Sequence, residues 1–191
     1  MSELKTAIIG CGNVYRAHAD SIINNKLSEL KYCVDIKKDR AIKAANIYDC
    51  IYLTDYKELF NKDIDVVHLC TPHHLHSDMA IEFLKRKINV LVEKPISIEL
   101  DNARKMIEVA EKNNKKLGVV FQNRYNENIL KAKEIIDSKK LGKIKGIKGI
   151  VTWFRDEDYY INDKWRGFIE TEGGGALISQ AIHTLDLMQW F

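Results

Sequence analysis

No apolar run in this chain is long enough to span a bilayer, and the first residues lack a charged stretch followed by an apolar core. The expectation is a cytoplasmic protein with no membrane partner. Charge of one sign is also lacking. Thirty Lys and Arg face 27 Asp and Glu, a net charge of +3, and the lysines are scattered among acids along helical stretches. They read as solvated faces, which argues against nucleic acid as a partner. Paired cysteine spacing is missing too. Cys11, Cys33, Cys50 and Cys70 stand apart, three of them in or beside apolar runs, and read as reduced buried thiols. Internal repeats and low-complexity segments are absent. What remains is an ordinary globular composition, 46% hydrophobic over 191 residues, enough for one good domain and part of another.

The periodicity alternates between two and 3.6. Apolar runs at 5–9, 30–36, 64–70, 88–92 and 117–121 read as strands. Helical spacing fills the gaps at 15–24, 39–47, 75–85 and 98–112. Strands alternating with helices of this length predict an α/β fold of parallel βαβ units with right-handed crossovers. The pattern changes near Gln122. A helix is expected over 128–138, stopped by Lys139, Lys140, Leu141 and Gly142, then an extended strand over 144–154. A loop rich in acids and aromatics follows, and Gly173, Gly174 and Gly175 precede a last helix over 176–190. The chain ends on an apolar segment, which reads as a domain cut short.

Several motifs lie just beyond predicted strand ends, where an open parallel sheet forms its ligand crevice. Gly10 and Gly12 sit between a strand and a helix. The first permits a tight turn, and the second lets backbone approach a pyrophosphate on the helix N-terminus. Tyr15 takes the place of the fingerprint's third small residue, so a plain strand-to-helix turn stays open. Asp35 ends the second strand, spaced to accept hydrogen bonds from an adenosine ribose, which favours NAD. Lys37 and Lys38 follow it and offer a 2′-phosphate partner instead, so NADP also stays open. Thr71, Pro72, His73, His74 and His76 close another strand. The three histidines share no ligand spacing with a carboxylate or cysteine, so no metal is expected, and the loop reads as the nicotinamide side of the crevice. Glu93, Lys94 and Pro95 follow the next strand. Lys94 there is either a solvated surface lysine or a donor to a reacting oxygen. His183 lies on the last expected helix with Ser179 one turn before it, and is either structural or part of a site.

Together these residues resemble the glucose-fructose oxidoreductase, inositol dehydrogenase and MocA (Gfo/Idh/MocA) family. The match runs through Gly10, Cys11, Gly12 and Asn13; Asp35; Thr71, Pro72 and His76; Glu93, Lys94 and Pro95; Gln122, Asn123, Arg124 and Tyr125; Trp165, Arg166 and Gly167; and Gly173 to Gly175 through His183 and Asp186. The resemblance implies a Rossmann doubly wound parallel sheet over residues 1–122. Residues 123–191 would begin a second α/β domain, with an open sheet that commonly forms a dimer interface, so a homo-oligomer is expected. It implies a dehydrogenase moving hydride between NAD, or NADP, and a hydroxyl carbon of a sugar, inositol or sugar nucleotide. Lys94 and His183 would be catalytic. Gly10, Gly12, Asn13, Val14, Asp35, Thr71, Pro72, His76, Glu93, Lys94 and Gln122 would hold the cofactor. Lys94, Asn123, Arg124, Trp165, Arg166, Ser179 and His183 would meet the substrate. Many members carry an aspartate where this chain has Ser179, which puts an aspartate-assisted mechanism in doubt. Members are also considerably longer, so the alternative is a nucleotide-binding module without turnover.

Overall fold

The computed structural model describes residues 3–161 and 163–191, and the chain divides into two compact units, 1–119 and 120–191. In the first, strands β1 (Leu4–Ile9), β2 (Ser28–Val34), β3 (Ile51–Leu53), β4 (Val66–Leu69), β5 (Asn89–Val92) and β6 (Leu117–Val119) form one sheet in the order β3-β2-β1-β4-β5-β6. Every pairing is parallel. Helices α1 (Tyr15–Ile23), α2 (Lys38–Tyr48), α3 (His76–Lys85) and α4 (Leu100–Lys112) make the crossovers. This is the doubly wound dinucleotide-binding order, and the direction in which strands are added reverses between β1 and β4.

Alternation along β1 builds two cores. Ala7 and Ile9 join Val67, Leu69, Val90, Val92, Phe83 and Met106 on one face. Ile8 joins Leu30, Cys33, Ala19, Ile22 and Ala44 on the other. A sheet with helices on both faces buries both side-chain sets, which is why its strands read as continuous apolar runs. Three helices end alike. Asp49, Lys87 and Asn114 take positive φ, and the next residue's N–H returns to a carbonyl five residues back: Cys50 to Ala45, Ile88 to Phe83, Lys115 to Ala110. That left-handed stop turns each helix sharply toward the strand that follows. β3 escapes the sequence reading because it is three residues long and its Ile51 and Tyr52 are exposed.

The second unit holds α5 (Glu127–Asp137), α6 (Glu157–Ile161), α7 (Ile169–Glu172), α8 (Ala176–Ser179) and α9 (Ile182–Trp190). Two expectations fail here. Residues 144–154 form no strand, and among the described residues of this unit there is no sheet ladder. A strand exists only with a hydrogen-bonded partner, and isoleucines at every third position do not alternate between faces. The segment instead crosses α9 with backbone alone, since a Cβ on Gly149 would lie 2.6 Å from Thr184 Cγ2 and 2.9 Å from Met188 Sδ. The single helix expected over 176–190 is two. The N–H groups of Gln180 and Ala181 both return to the Ala176 carbonyl, which closes α8 before α9 begins.

Candidate functional site

The glycine loop after β1 contains two glycines with different reasons to be there. Gly10 has φ +94°, and a Cβ on it would stand 2.6 Å from the Cys70 carbonyl oxygen. The adjacent strand ends touch there, so the fold itself demands glycine. Gly12 is not demanded in that way. A Cβ there meets nothing nearer than Arg40 Nη1 at 3.9 Å, so the glycine leaves open space above the loop. Asn13 and Val14 are exposed beside that space, and Val14 caps α1 with no side-chain hydrogen bond to the helix start. Tyr15, in the place of the third small residue, is buried edge-on against Tyr48 at 6.2 Å between centroids. The departure is absorbed by packing between α1 and the end of α2.

Asp35 is buried at the end of β2 and accepts the N–H of Cys11 at 2.9 Å and of Lys37 at 2.8 Å. One carboxylate thus ties the glycine loop to the start of α2, and each oxygen keeps a further lone pair. Beyond β4, the Thr71 hydroxyl is buried with no hydrogen-bond partner. A buried orphan hydroxyl is costly unless something else completes it. With the open space at Gly12, it gives a fit for a polar ligand on this rim. His76 behaves differently from the expected cofactor contact. Its side chain is fully buried, with Nδ1 2.8 Å from the Pro95 carbonyl and Nε2 2.8 Å from the Thr71 carbonyl. The ring is spent on two main-chain oxygens and staples the loop after β4 to the loop after β5; Pro72 caps the short 3-10 turn His73–Leu75 between them.

Glu93 and Lys94 follow β5, and the Lys94–Pro95 peptide is cis. Glu93 Oε1 lies 3.0 Å from His18 Nε2, and Oε2 accepts the Lys94 N–H at 3.2 Å. Burial pushes this carboxyl up, but the His18 hydrogen bond and the Lys94 charge outweigh it and hold it below the usual glutamate value. Behind His18, His68 on β4 brings its Nδ1 to 3.0 Å from His18 Nδ1. Burial and the neighbouring His18 hold His68 down at about 4. Sequence reasoning missed His18, His68 and Arg40. His18 and Glu93 lie 75 residues apart, and no local pattern announces their contact.

The second unit carries the remaining candidates. Gln122, Asn123 and Arg124 form a 3-10 turn before α5. The Arg124 guanidinium is committed to Asp186, Nε to Oδ2 at 2.7 Å and Nη2 to Oδ1, and lies over the Phe121 and Trp190 rings. Arg166 lies 4.3 Å from the Trp165 ring centroid and 4.4 Å from that of Tyr159, with Nε 3.0 Å from Asp163 Oδ2 and Nη1 on the Tyr159 hydroxyl. Gln180 donates to the same hydroxyl at 3.0 Å, and Glu172, almost fully buried, accepts the Gly167 N–H at 2.7 Å. This network ties the turn through Trp165 and Arg166 to Tyr159, Asp163 and Glu172. His183 is buried on α9, edge-on to Phe121 at 6.0 Å between centroids. Ser179 closes α8 and donates to the Gly175 carbonyl at 3.1 Å, so it and His183 ride different helices. Among the described residues no three His, Cys, Asp or Glu side chains gather as a metal site. No helix among them is long and apolar enough to cross a membrane.

Comparison with known proteins follows the same division. The oxidoreductase family GFO_IDH_MocA, described as having an NAD-binding Rossmann fold, matches residues 4–121. The GFO/IDH/MocA C-terminal domain matches residues 129–191. Among solved structures, the WlbA dehydrogenase of Chromobacterium violaceum, in complex with NADH and UDP-GlcNAcA, is 30% identical with a TM-score of 0.95, covering 100% of this chain and 55% of that one. Among curated proteins, the oxidoreductase YrbE of Bacillus subtilis is 27% identical over 190 residues, 98% of this chain and 53% of its own. The inositol 2-dehydrogenase of Salmonella typhimurium is 28% identical over 192 residues, 98% of this chain and 54% of its own. The chain thus spans about half the length of the curated relatives it matches.

Proposed function

The chain belongs to the Gfo/Idh/MocA oxidoreductase family, and on that premise we propose that it transfers hydride between NAD and a hydroxyl-bearing carbon of a sugar, inositol or sugar nucleotide. The observation that carries this reading is the rim where the direction of strand addition reverses. There an open glycine loop tied down by Asp35 and an orphan Thr71 hydroxyl lie beyond β1 and β4, and a lysine lies just beyond β5. When bound, NAD supplies the hydride acceptor. Backbone N–H groups of Gly12, Asn13 and Val14 would hold its pyrophosphate at the positive end of α1, while Gly10, its own N–H on the Val34 carbonyl at 2.8 Å, makes the turn that presents them. Asp35 offers its remaining lone pairs to the adenosine ribose, and Thr71, Pro72 and Glu93 line the nicotinamide side. His76 acts there only through the loops it staples.

In this reading Lys94 donates a hydrogen bond to a substrate oxygen as its charge develops, and His183 is the candidate proton acceptor of the second unit. Asn123, Trp165, Arg166, Ser179 and the uncommitted part of the Arg124 guanidinium hold the substrate. NAD is favoured over NADP because the Asp35 carboxylate repels a 2′-phosphate, against the pull of Lys37, Lys38 and Arg40. The cell compartment is the cytoplasm, consistent with four free cysteines. Self-association uses the exposed Ile147, Ile150, Trp153 and Phe154.

The test is a fluorescence titration with NADH followed by turnover assays on polyols, sugars and sugar nucleotides. Absence of NADH binding sinks the reading. Binding without turnover on any substrate selects the second reading, a nucleotide-binding module.

A further inference from the structure

Lys94 is bracketed by two histidines that take no direct part in the proposed hydride transfer. On one side His76 holds the carbonyl of Pro95. On the other, His18 from α1 holds Glu93, whose second oxygen holds the Lys94 N–H. A carboxylate only accepts, so His18 Nε2 carries a hydrogen. His18 Nδ1 faces His68 Nδ1 at 3.0 Å, and a single hydrogen is shared between them. His68 donates it to a neutral His18, or accepts it from an imidazolium. His68 itself interrupts an otherwise apolar strand, Val66, Val67 and Leu69. Packing alone does not call for imidazole there, since burying a polar ring costs free energy unless its hydrogen bond is wanted.

We propose that His18, backed by His68, is a positioning residue for Lys94: it orients and partly neutralises the Glu93 carboxylate, and so fixes the main chain of Lys94 and the charge its amine feels. The proposal rests on the reading that Lys94 works at the substrate oxygen. Among the described residues, the titratable groups facing Glu93 are His18 from α1, Cys70 beyond β4, His76 from α3, and Lys94 itself. Burial raises the Cys70 thiol, and the Glu93 charge adds to this, so Cys70 stays neutral. His76 is occupied by two carbonyls. His18 is therefore the partner that sets how much of the Glu93 charge reaches Lys94.

The test follows the Lys94 amine directly, in the full chain labelled with 13Cε-lysine and assigned through Lys94→Arg. His18→Leu leaves the Glu93 charge uncompensated. The Lys94 titration midpoint should then move up, with NADH affinity within about twofold of the parent and, where turnover is measurable, kcat down about tenfold at unchanged KM. His18→Gln, which keeps an N–H donor, should recover most of the change, and His68→Val should give a smaller shift of the same sign. An unmoved Lys94 midpoint in a folded His18→Leu overturns the proposal. Should that variant fail to fold, Glu93→Gln decides. Its amide donates to His18 Nε2 and forces the His18 hydrogen onto Nδ1, which 15N histidine shifts report, and the loss of charge lowers the Lys94 midpoint. No change in either signal overturns the proposal equally. Turnover is not needed for these readouts. A parent that never binds NADH but shows the midpoint shifts therefore defeats the functional reading and not this one.

Discussion

The two units of this chain are held together by different chemistry. In the first, the buried apolar side chains run from Ala7 to Ala110 and cover both faces of a fully paired parallel sheet. In the second, the buried side chains among the described residues are Glu172, Gln180 and His183, all polar, and its large apolar residues Ile150, Trp153, Phe154 and Phe168 are exposed. A unit built on apolar burial gains stability in proportion to area removed from water. A unit built on ion pairs and polar contacts gains little from each, because charges surrender hydration to meet. The first unit should therefore unfold as a block, and the second should open locally at lower free energy.

The strongest way to break this contrast is through binding. Gly12→Val should abolish NADH binding with the denaturation midpoint nearly unchanged, because the fold leaves room for the side chain that a pyrophosphate would occupy. Unaltered NADH titration in this variant would remove the pyrophosphate from Gly12. Phe83→Ala should cost about 3–5 kcal/mol in urea denaturation, since Phe83 is fully buried between α3 and the sheet. Phe168→Ala in the second unit should stay within about 0.5 kcal/mol, since that ring is exposed. Equal losses at both positions would erase the difference between the units.

Acid should act on the first unit through His68. Its folded value of about 4 lies below the ordinary 6.5, so the folded state favours the neutral ring. The stabilisation is complete above 6.5 and is lost as pH falls toward 4, on the order of 2–3 kcal/mol in all. Glu93, held below its ordinary 4.5, works in the same direction at lower pH: its contribution is present above 4.5 and fades as pH drops through the folded value. Denaturation of His68→Val across this range should show a flatter slope than the parent; an identical slope would assign the acid sensitivity elsewhere. A smaller effect than that at Phe83 belongs to Arg124→Ala, which leaves a largely buried Asp186 carboxylate without its bidentate partner. About 1–2 kcal/mol should be lost, read as faster hydrogen exchange along α9 with that of β1 and β4 unaltered. Faster exchange in both would mean that the units do not open separately.

The same contrast governs what could be read from the residues. The strands β1, β2, β4, β5 and β6 were legible because a sheet covered on both faces leaves continuous apolar runs, and their helices because one face must meet that sheet. β3 was hidden by its length. In the second unit the apolar segment 144–154 looked like a strand and is not one, because apolar content cannot supply a hydrogen-bonding partner. Of the candidate site, the strand-end positions of Gly10, Asp35, Thr71 and Lys94 followed from element order. The roles of Gly12, His76 and Arg124 needed coordinates, because an open space, a ring between two carbonyls and a guanidinium already paired are invisible in a string of letters.

The sequence by itself determined the alternation of strand and helix, the two-faced core and the glycine turn after β1, since each depends on neighbours within one element and its loop. Only the tertiary structure decided that Glu93 meets His18 and that His18 meets His68, contacts 75 and 50 residues apart in the chain. The reason is geometric. Parallel pairing of β4 with both β1 and β5, and the return of α1 over that face, bring three side chains together that no periodicity relates.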